Sequence, residues 1–258
     1  MTSVTSRIRS IKQPRGGYLN KRYFNIIQRE DNIELNEKEN IPGNTVGTVV
    51  DYMTRFMMYS SKSEAFSISL IGAQAYDYFS EDGNATYKAE TLLNGITGLN
   101  KESIINACKL VGYDVCYRAG IEWYKPIEEI NPDIDTVENI ITMINRSCSF
   151  WEEYGKIVKD GFTFEGGYTD LIHTGDGDFL TDDTLWDFKV IKTEPTSKNI
   201  LQILVYYIMG RHSIHPEFKS IKKIGIFNPR LNKVYISEID LIPSEVIKEV
   251  SEKVIGYK

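Results

Sequence analysis

The sequence predicts an α/β protein with one central mixed β-sheet. The chain has 258 residues and is 41% hydrophobic, which is enough to bury a full core. Up to about residue 160 the apolar residues recur mainly at helical spacing, whereas the later segments are short, β-branched or aromatic and bounded by Gly and Asp. The resulting order is helices, three strands, a helix, two strands and a helix, which is typical of α/β and α+β domains.

Residues 1–43 are predicted to form an irregular arm, basic at first and acidic afterwards. The stretch Met1–Phe24 contains Arg and Lys but no Asp or Glu. Such a composition is found in transit peptides, but Pro14, Gly16 and Gly17 interrupt any amphipathic helix, so a mobile basic arm is favoured. The acidic run EDNIELNEKEN follows and ends at Pro42-Gly43.

Residues 44–258 are predicted to form a single domain with a helical annex at about 60–156 and a core at about 161–258. Asn44 is a candidate N-cap for a first helix, whose apolar face would be Val46, Val50, Met53 and Met57. Three further helical runs follow, SEAFSISLIGAQAYDYF, KESIINACKLVGYDVCYRAG with Asn100 as its cap, and TVENIITMINRSCSFWEEYGKIV. Between the last two, KPIEEINPD is predicted to be a loop.

The predicted core contains five strand patterns and two helices. The strands are FTFEGGYTDLIHT, DFLT, TLWDFKVI, and a final hairpin pair, KKIGIFN and KVYISEID, which turns around residues 229–232. The helices are SKNILQILVYYIMGR between the third and fourth strands and PSEVIKEVSEKVIGY at the end, where Pro243 suits a first helical turn.

Composition restricts the classes of function. The net charge is -6, so any contact with nucleic acid must come from a local basic surface. Three cysteines and three histidines, without a paired spacing, argue against a disulfide framework, an iron–sulfur cluster or a zinc site. No apolar run reaches membrane-spanning length and no signal-peptide core is present, so we expect reduced cysteines, a cytoplasmic location and no membrane partner.

One hairpin pattern, GDGDFLTDDTLWDFKVIK at residues 175–192, places carboxylates on adjacent strands. With Asp182-Asp183 as a two-residue loop, Asp178 faces Asp187, and Lys189 lies on the same face as Asp187. Directly opposed residues have Cβ atoms about 4.5–5.5 Å apart, a distance at which two carboxylates repel unless a cation lies between them. The spacing alone fits an exposed hairpin equally well, but the apolar context of TLWDFKVI is unusual for a solvated edge.

The two carboxylates and the ammonium together suit phosphodiester chemistry. Carboxylate oxygens with open positions fit Mg²⁺ or Mn²⁺, completed by water and a substrate phosphate. Such an ion polarises a phosphodiester, and Lys189 could orient the attacking water or help to deprotonate it.

These residues resemble the PD-(D/E)xK nuclease superfamily, in particular its RecB-type branch. Asp178 matches the first acidic position and Asp187-Phe188-Lys189 matches the D/E-x-K motif. The following helix supplies the family's Q-x-x-x-Y pattern as Gln202 and Tyr206. Upstream, GTVVD at residues 47–51 matches the G-T-x-x-H motif with Asp51 in place of the metal-binding histidine.

The resemblance implies a restriction-endonuclease-like core with a helical insertion and a Mg²⁺- or Mn²⁺-dependent deoxyribonuclease activity. The implied catalytic residues are Asp178, Asp187, Lys189, Gln202 and Tyr206. The implied metal ligands are Asp51, Asp178, Asp187 and the carbonyl of Phe188. Asp170, in the G-x-x-D motif of GYTDLI, is an alternative to Asp178 as first ligand, and Glu165 is a weaker candidate for an outer ligand.

Other interpretations stay open at this level. Tyr206 can be a core residue and Gln202 a strand cap. The domain can be a nuclease-like fold that only binds nucleic acid or a protein, or a metal-dependent phosphoesterase that acts on nucleotides. DNA is the expected partner, with a homo-oligomer or a protein partner as further possibilities. Candidate phosphate contacts are Arg7, Arg9, Lys12, Arg15, Lys21, Arg22, Lys192, Lys198, Arg211, Lys222, Lys223 and Arg230.

Overall fold

The structure, a computed structural model, describes residues 1–80 and 83–258. It is an α/β protein with a six-stranded mixed sheet and flanking helices, as predicted. The chain divides into two compact units: unit 1 comprises Met1–Glu30 and Trp151–Lys258, and unit 2 comprises Asp31–Phe150. None of the helices among the described residues combines the length and the apolar character needed to cross a membrane.

Ten α-helices are found in the described part of the chain. In chain order they are α1 (Val4–Ser10), α2 (Gly43–Met58), α3 (Lys62–Ala65), α4 (Ser67–Phe79), α5 (Ala85–Asn94), α6 (Lys101–Val111), α7 (Asp114–Arg118), α8 (Ile134–Tyr154), α9 (Ser197–His212) and α10 (Ser244–Glu249), which continues as a π-helical segment, Val250–Ile255.

Unit 1 is built on the sheet, whose strands lie in the order β1-β6-β5-β4-β3-β2. Only the β4–β5 pair is parallel, and the other four pairs are antiparallel. The predicted final hairpin is confirmed as β5 and β6. The strands are β1 (Asn25–Gln28), β2 (Lys159–Phe162), β3 (Gly177–Leu180), β4 (Thr184–Phe188), β5 (Lys223–Asn228) and β6 (Lys233–Glu238).

Strand β4 is buried on both faces of the sheet. On one face Leu185 belongs to the apolar core that α9 also fills. On the other face Trp186 packs against the ring of Trp151, with ring centroids 6.3 Å apart. The neighbouring strand β5 carries Gly225 opposite Trp186, and a Cβ added there would lie 2.2 Å from the indole ring, so only glycine fits. A polar residue in β4 is therefore held away from bulk water.

The N-terminal segment is not the irregular arm predicted for residues 1–43. It forms α1, a 3-10 turn at Lys21–Tyr23 and strand β1, which pairs with β6. Ser3 caps α1 by accepting the Ser6 N–H, and Val4 and Ile8 are buried one helical turn apart. The helix forms because these signals come before the helix breakers that start at Pro14.

Unit 2 is helical, and no strand occurs in residues 31–80 and 83–150. The predicted N-cap at Asn44 is wrong, because α2 begins at Gly43 after Pro42 and has no side-chain cap. Asn100 is confirmed as the cap of α6, where it accepts the Ser103 N–H. Two predicted helical runs are each broken into two helices, and α5 was not predicted. Met57, predicted on the apolar face of α2, is 41% exposed.

Candidate metal centre

Strands β3 and β4 hold the candidate site in the register that the sequence predicts. The recorded pairs are Phe179–Trp186 and Leu180–Leu185. Continued by one residue, this register brings Asp178 level with Asp187 on the face occupied by Leu185. That face is covered by α9, so the two carboxylates lie at the border of the apolar core.

Asp187 is the most deeply buried carboxylate of this group, with 1% of its surface exposed. Its Oδ1 accepts a hydrogen bond from Lys189 Nζ at 2.8 Å. Its Oδ2 is buried and has no hydrogen-bond partner. A carboxylate oxygen held out of water without a donor is costly, and buried polar atoms of this kind need an explanation.

Asp178 is half-buried and is fixed to the neighbouring strand. Its Oδ2 accepts the backbone N–H of Phe188 at 2.7 Å. The next N–H along the chain is that of Lys189, just after β4, and it donates to the carbonyl of Phe227 at 2.9 Å. The backbone that carries the predicted Phe188 carbonyl ligand is therefore tied on both sides, to β3 and to β5.

Lys189 remains an ammonium ion at neutral pH. Burial opposes its charge, but the carboxylates of Asp187 and Asp178 more than offset that effect, so the pKa of Lys189 is raised. A lysine with a raised pKa is a poor base. Both roles suggested by the sequence for Lys189, orienting water and deprotonating it, stay predictions.

Gln202 and Tyr206 lie one turn apart on α9 and are hydrogen-bonded to each other. Gln202 Nε2 donates to the Tyr206 hydroxyl at 2.9 Å and to Thr5 Oγ1 at 3.3 Å. Tyr206 is buried, and its ring stacks on Phe164 with centroids 5.1 Å apart. Burial, followed by the charges of the two aspartates, raises the pKa of Tyr206 well above its usual value. Its hydroxyl is therefore neutral and keeps its proton for donation.

The remaining candidates have other local contacts. Asp51 lies on α2 in unit 2 and forms an ion pair with Arg55 at 2.9 Å, so its role as a ligand stays a prediction. Asp170 is exposed in a turn. Glu165 is exposed and bonded to Thr163 and then His215, and these bonds lower the pKa of Glu165 to about 2.

Two residues near the site were missed in the sequence. Thr5 on α1 accepts a hydrogen bond from Gln202, and its helix is detectable from the Ser3 cap and the Val4–Ile8 spacing. Asp176 contributes to the negative field around Tyr206. It stands two residues before Asp178 in the quoted hairpin, where acidic residues are too frequent for a single one to be singled out.

The donors of the site fit a hard divalent cation. Carboxylate oxygens are preferred ligands of Mg²⁺ and Mn²⁺, and Asp187 Oδ2 offers an oxygen that no donor among residues 1–80 and 83–258 satisfies. No group of three or more His, Cys, Asp or Glu side chains is arranged to hold a metal ion in residues 1–80 and 83–258. A Mg²⁺ site needs fewer, since one or two carboxylates with water and substrate phosphates suffice.

Comparisons with known proteins add no assignment: no family model, no curated protein and no solved structure matches this chain. A function can therefore be inferred only from the contacts of the site itself. Those contacts are a buried aspartate with one unsatisfied oxygen, a second aspartate on the adjacent strand, a charged lysine and a neutral tyrosine.

Proposed function

We propose that this protein is a divalent-metal-dependent nuclease that hydrolyses phosphodiester bonds in DNA. The observation that carries the proposal is Asp187 Oδ2, which is buried in β4 without a hydrogen-bond partner. Leaving such an atom unsatisfied costs about 1–3 kcal/mol or more for a charged group. A bound cation turns this cost into a favourable interaction, which explains why an aspartate occupies a strand buried on both faces.

The residues that would hold the ion are Asp187, Asp178 and the carbonyl of Phe188, with Mg²⁺ or Mn²⁺ as the metal. When bound, such an ion supplies positive charge to the phosphate oxygens of the substrate. Asp187 and Phe188 lie at the end of β4, next to the parallel strand β5. In open α/β sheets, ligands commonly bind beyond the carboxyl ends of parallel strands, which is the position of this cluster.

The protein's own side chains have separate tasks in the proposed hydrolysis. The Lys189 ammonium, held 2.8 Å from Asp187, orients the attacking water and stabilises the charge that builds up on the phosphate oxygens. The Tyr206 hydroxyl accepts from Gln202 and is left to donate its proton to the substrate or the water. The water oxygen bonds to phosphorus and gives up a proton to solvent or to a phosphate oxygen of the substrate. One phosphorus–oxygen ester bond breaks, and the departing oxygen takes up a proton.

The RecB-type branch of the PD-(D/E)xK superfamily remains the proposed relationship, with a restriction-endonuclease-like core in unit 1. The order of its motifs along the chain supports it, since Asp178, Asp187-x-Lys189 and Gln202-x-x-x-Tyr206 follow one another on β3, on and just after β4, and on α9. Proximity of the motifs is a second support, because chance matches to short motifs need not converge in space: Asp178 accepts the Phe188 N–H, and the charges of Asp187 and Asp178 act on Tyr206.

The charge of unit 1 supports a nucleic-acid substrate. Unit 1 carries 21 Lys and Arg against 18 Asp and Glu, although the whole chain has a net charge of -6. Residues 1–30 contribute seven of these basic residues and one acid. Thr5 on α1 bonds to Gln202, so this basic segment begins beside the proposed site. Exposed members such as Arg9, Lys12 and Arg15 are suited to phosphate contacts.

A digestion assay tests the proposal. Supercoiled plasmid, single-stranded DNA and a mononucleotide are incubated with the protein in Mg²⁺, in Mn²⁺ or in EDTA. We expect metal-dependent cleavage of polynucleotide that is lost in Asp187→Ala and Lys189→Ala and retained in Asp182→Ala, which removes an exposed carboxylate from the loop of the same hairpin.

Three outcomes would contradict it. Cleavage that survives Asp187→Ala or EDTA would overturn the mechanism. Turnover of the mononucleotide alone would instead indicate a phosphoesterase acting on nucleotides. DNA binding without cleavage in either metal would indicate a nuclease-like binding module.

A further inference from the structure

The amide of Gln202 joins two hydroxyl groups, and each of them keeps a proton to donate. Its Nε2 donates to the Tyr206 hydroxyl at 2.9 Å and to Thr5 Oγ1 at 3.3 Å. Both amide protons are thus used, and the two hydroxyl oxygens lie about 5 Å apart across the planar NH₂ group. Neither hydroxyl donates to an acceptor within residues 1–80 and 83–258, so both O–H groups are available to a ligand.

Thr5 is exposed, but the helix that carries it is fixed in unit 1. The Val4 N–H donates to the carbonyl of Thr174 at 3.0 Å, and the side chain of Val4 is buried in the core. Arg7 Nε donates to the carbonyl of Val254 at 2.9 Å. A hydroxyl on a helix anchored in this way is preorganised for binding, since little further ordering is needed when a ligand arrives.

Three cations that follow Thr5 in the sequence are left unpaired in the described part of the chain. Arg9, Lys12 and Arg15 are exposed, and their side chains form no ion pair or hydrogen bond there. The other basic residues of the first 30 do have partners: Arg7, Lys21, Arg22 and Arg29. No acid precedes Glu30, so the first 29 residues carry an excess of positive charge that suits an anionic ligand.

The segment with these cations runs beside the first turns of α9. Thr5 bonds to Gln202, whereas a Cβ added to Gly17 would lie 3.0 Å from the Cβ of Ser197, the first residue of α9. The unpaired charges therefore lead away from Gln202 toward the start of that helix. Thr5 and Arg9 lie on one face of α1, one turn or about 6 Å apart, which is comparable with the distance between neighbouring phosphates of one strand.

The inner and outer parts of this surface differ in charge. The field around Tyr206 is negative, because Asp187, Asp178 and Asp176 all act on it. Lys189 and a bound divalent cation would offset that field, so a phosphate is expected to reach the two hydroxyls only when the metal is present. The three unpaired cations need no metal to attract phosphates, so the outer part of a polynucleotide can bind them in its absence.

We propose that the Thr5 hydroxyl donates to an oxygen of the scissile phosphate, beside the Tyr206 donor, and that Arg9 holds the neighbouring phosphate of the same strand. Lys12 and Arg15 extend the contact toward the start of α9. The proposal rests on the nuclease function proposed above and specifies how its substrate is held. A substrate with a single phosphodiester uses Thr5 alone, whereas a polynucleotide also uses the cations.

Two variants of Thr5 test its contact. A DNA oligonucleotide and a dinucleotide, which has no neighbouring phosphate, are cleaved in Mg²⁺. Thr5→Val should lower kcat on the oligonucleotide about tenfold, the scale of one lost hydrogen bond, and Thr5→Ser, which keeps the hydroxyl, should stay within about twofold. Mn²⁺ affinity should be the same in both, because Thr5 is not a metal ligand. Equal losses in the two variants, or none in Thr5→Val, would overturn the contact.

Arg9→Met tests the neighbouring phosphate by direct binding. Fluorescence anisotropy with a labelled oligonucleotide in EDTA should show an affinity lowered at least about fivefold and a salt dependence reduced by about one phosphate contact. Lys219→Met removes an exposed, unpaired cation at the other end of α9 and should have less than about a twofold effect. Equal effects in the two variants would show that only overall charge matters and would overturn the contact.

Substrate preference and binding separate this proposal from the nuclease proposal. The ratio of kcat/KM for the oligonucleotide to that for the dinucleotide should fall at least about fivefold in Arg9→Met and keep its value in Thr5→Val. Cleavage that is lost in Asp187→Ala but unaffected by both substitutions would refute this proposal alone. No cleavage by the unmodified protein would refute the nuclease function together with the Thr5 contact, and the binding in EDTA would then decide the Arg9 contact by itself.

Discussion

Two buried aspartates, one in each unit, show opposite ways of holding a carboxylate away from water. Asp114 in unit 2 is 7% exposed, and both of its oxygens have donors. Its Oδ2 accepts the Tyr52 hydroxyl at 2.7 Å, its Oδ1 accepts the Ser69 hydroxyl at 2.5 Å, and Arg118 lies 3.5 Å away. Asp187 in unit 1 is 1% exposed and keeps one oxygen without a donor.

The difference separates a carboxylate whose donors are complete within the fold from one that we propose to be a metal ligand. The network around Asp114 is internally complete and joins α2, α4 and α7. Burial nevertheless raises the pKa of Asp114, since desolvation exceeds the effect of these donors. The surroundings of Asp187 are incomplete, and only a cation or an added donor can complete them. This comparison leads to four predictions, given from the largest expected effect to the smallest.

Asp187→Asn should remove activity and spare the fold. DNA cleavage in Mg²⁺ is expected to fall by at least about 100-fold, the scale of losing one main electrostatic contact in an active site. The free energy of unfolding should change by no more than about 1 kcal/mol, because removal of the charged oxygen without a donor offsets the weaker contact with Lys189, which still faces the carboxylate of Asp178. Kinetics and urea denaturation measure the two effects. Unchanged cleavage, or a large loss of stability, would make Asp187 a structural residue like Asp114.

Asp114→Ala should do the reverse. It leaves the hydroxyls of Tyr52 and Ser69 buried without an acceptor, so the free energy of unfolding is expected to fall by about 3 kcal/mol. Cleavage per folded molecule should not change. Glu138→Ala, at an exposed position, serves as the control and should stay within about 0.5 kcal/mol of the unmodified protein. A shift in Asp114→Ala no larger than in this control would contradict the structural role.

Lys189→Met tests the cationic partner of Asp187 in unit 1. Cleavage is expected to fall by about 10- to 100-fold, because the substitution removes the charge that faces the phosphate. Arginine at this position keeps the charge, so Lys189→Arg should retain more activity than Lys189→Met. If the two variants lost activity equally, the positive charge would not be the property that matters.

The ion pair between Asp31 and Arg146 in unit 2 is expected to give the smallest effect on stability, and this effect depends on pH. Arg146 forms two hydrogen bonds to Asp31, and these bonds chiefly lower the pKa of Asp31. A carboxyl whose folded pKa is lowered stabilises the fold above its unfolded pKa of about 3.9 and loses this contribution as the pH falls through its folded pKa. Asp31→Asn should therefore be about 1 kcal/mol less stable at pH 7, with the difference disappearing as the pH falls below the lowered pKa of Asp31 in the folded protein. A difference that is constant with pH would contradict this account.

The sequence predicted the elements whose signals are local. The hairpin register followed from Asp182-Asp183 as a two-residue loop between strand patterns, and Phe179–Trp186 is paired as expected. Asn100 was predicted as a helix cap because its side chain needs only the N–H three residues later. The same reasoning failed at Asn44, because the N-cap is Pro42 and α2 starts two residues earlier than predicted, at Gly43.

Contacts between distant segments were beyond prediction. No residue near Thr5 indicates that Gln202, 197 residues away, donates a hydrogen bond to it. Helix α1 itself was not predicted, because Pro14 and the following glycines indicated an irregular segment. The lack of a donor for Asp187 Oδ2 likewise results from how the side chains pack, which the spacing of residues in the sequence does not show. The sequence places the carboxylate on a strand but cannot show that one oxygen receives Lys189 while the other receives no donor.

Calorimetric titration with Mn²⁺ tests the central claim most directly. The protein is expected to bind the ion, with affinity reduced more than tenfold in Asp187→Asn and unchanged in Asp182→Asn, an exposed position of the same hairpin. Equal Mn²⁺ affinity in Asp187→Asn and the unmodified protein, or no binding at all, would show that the buried oxygen of β4 is not a metal ligand.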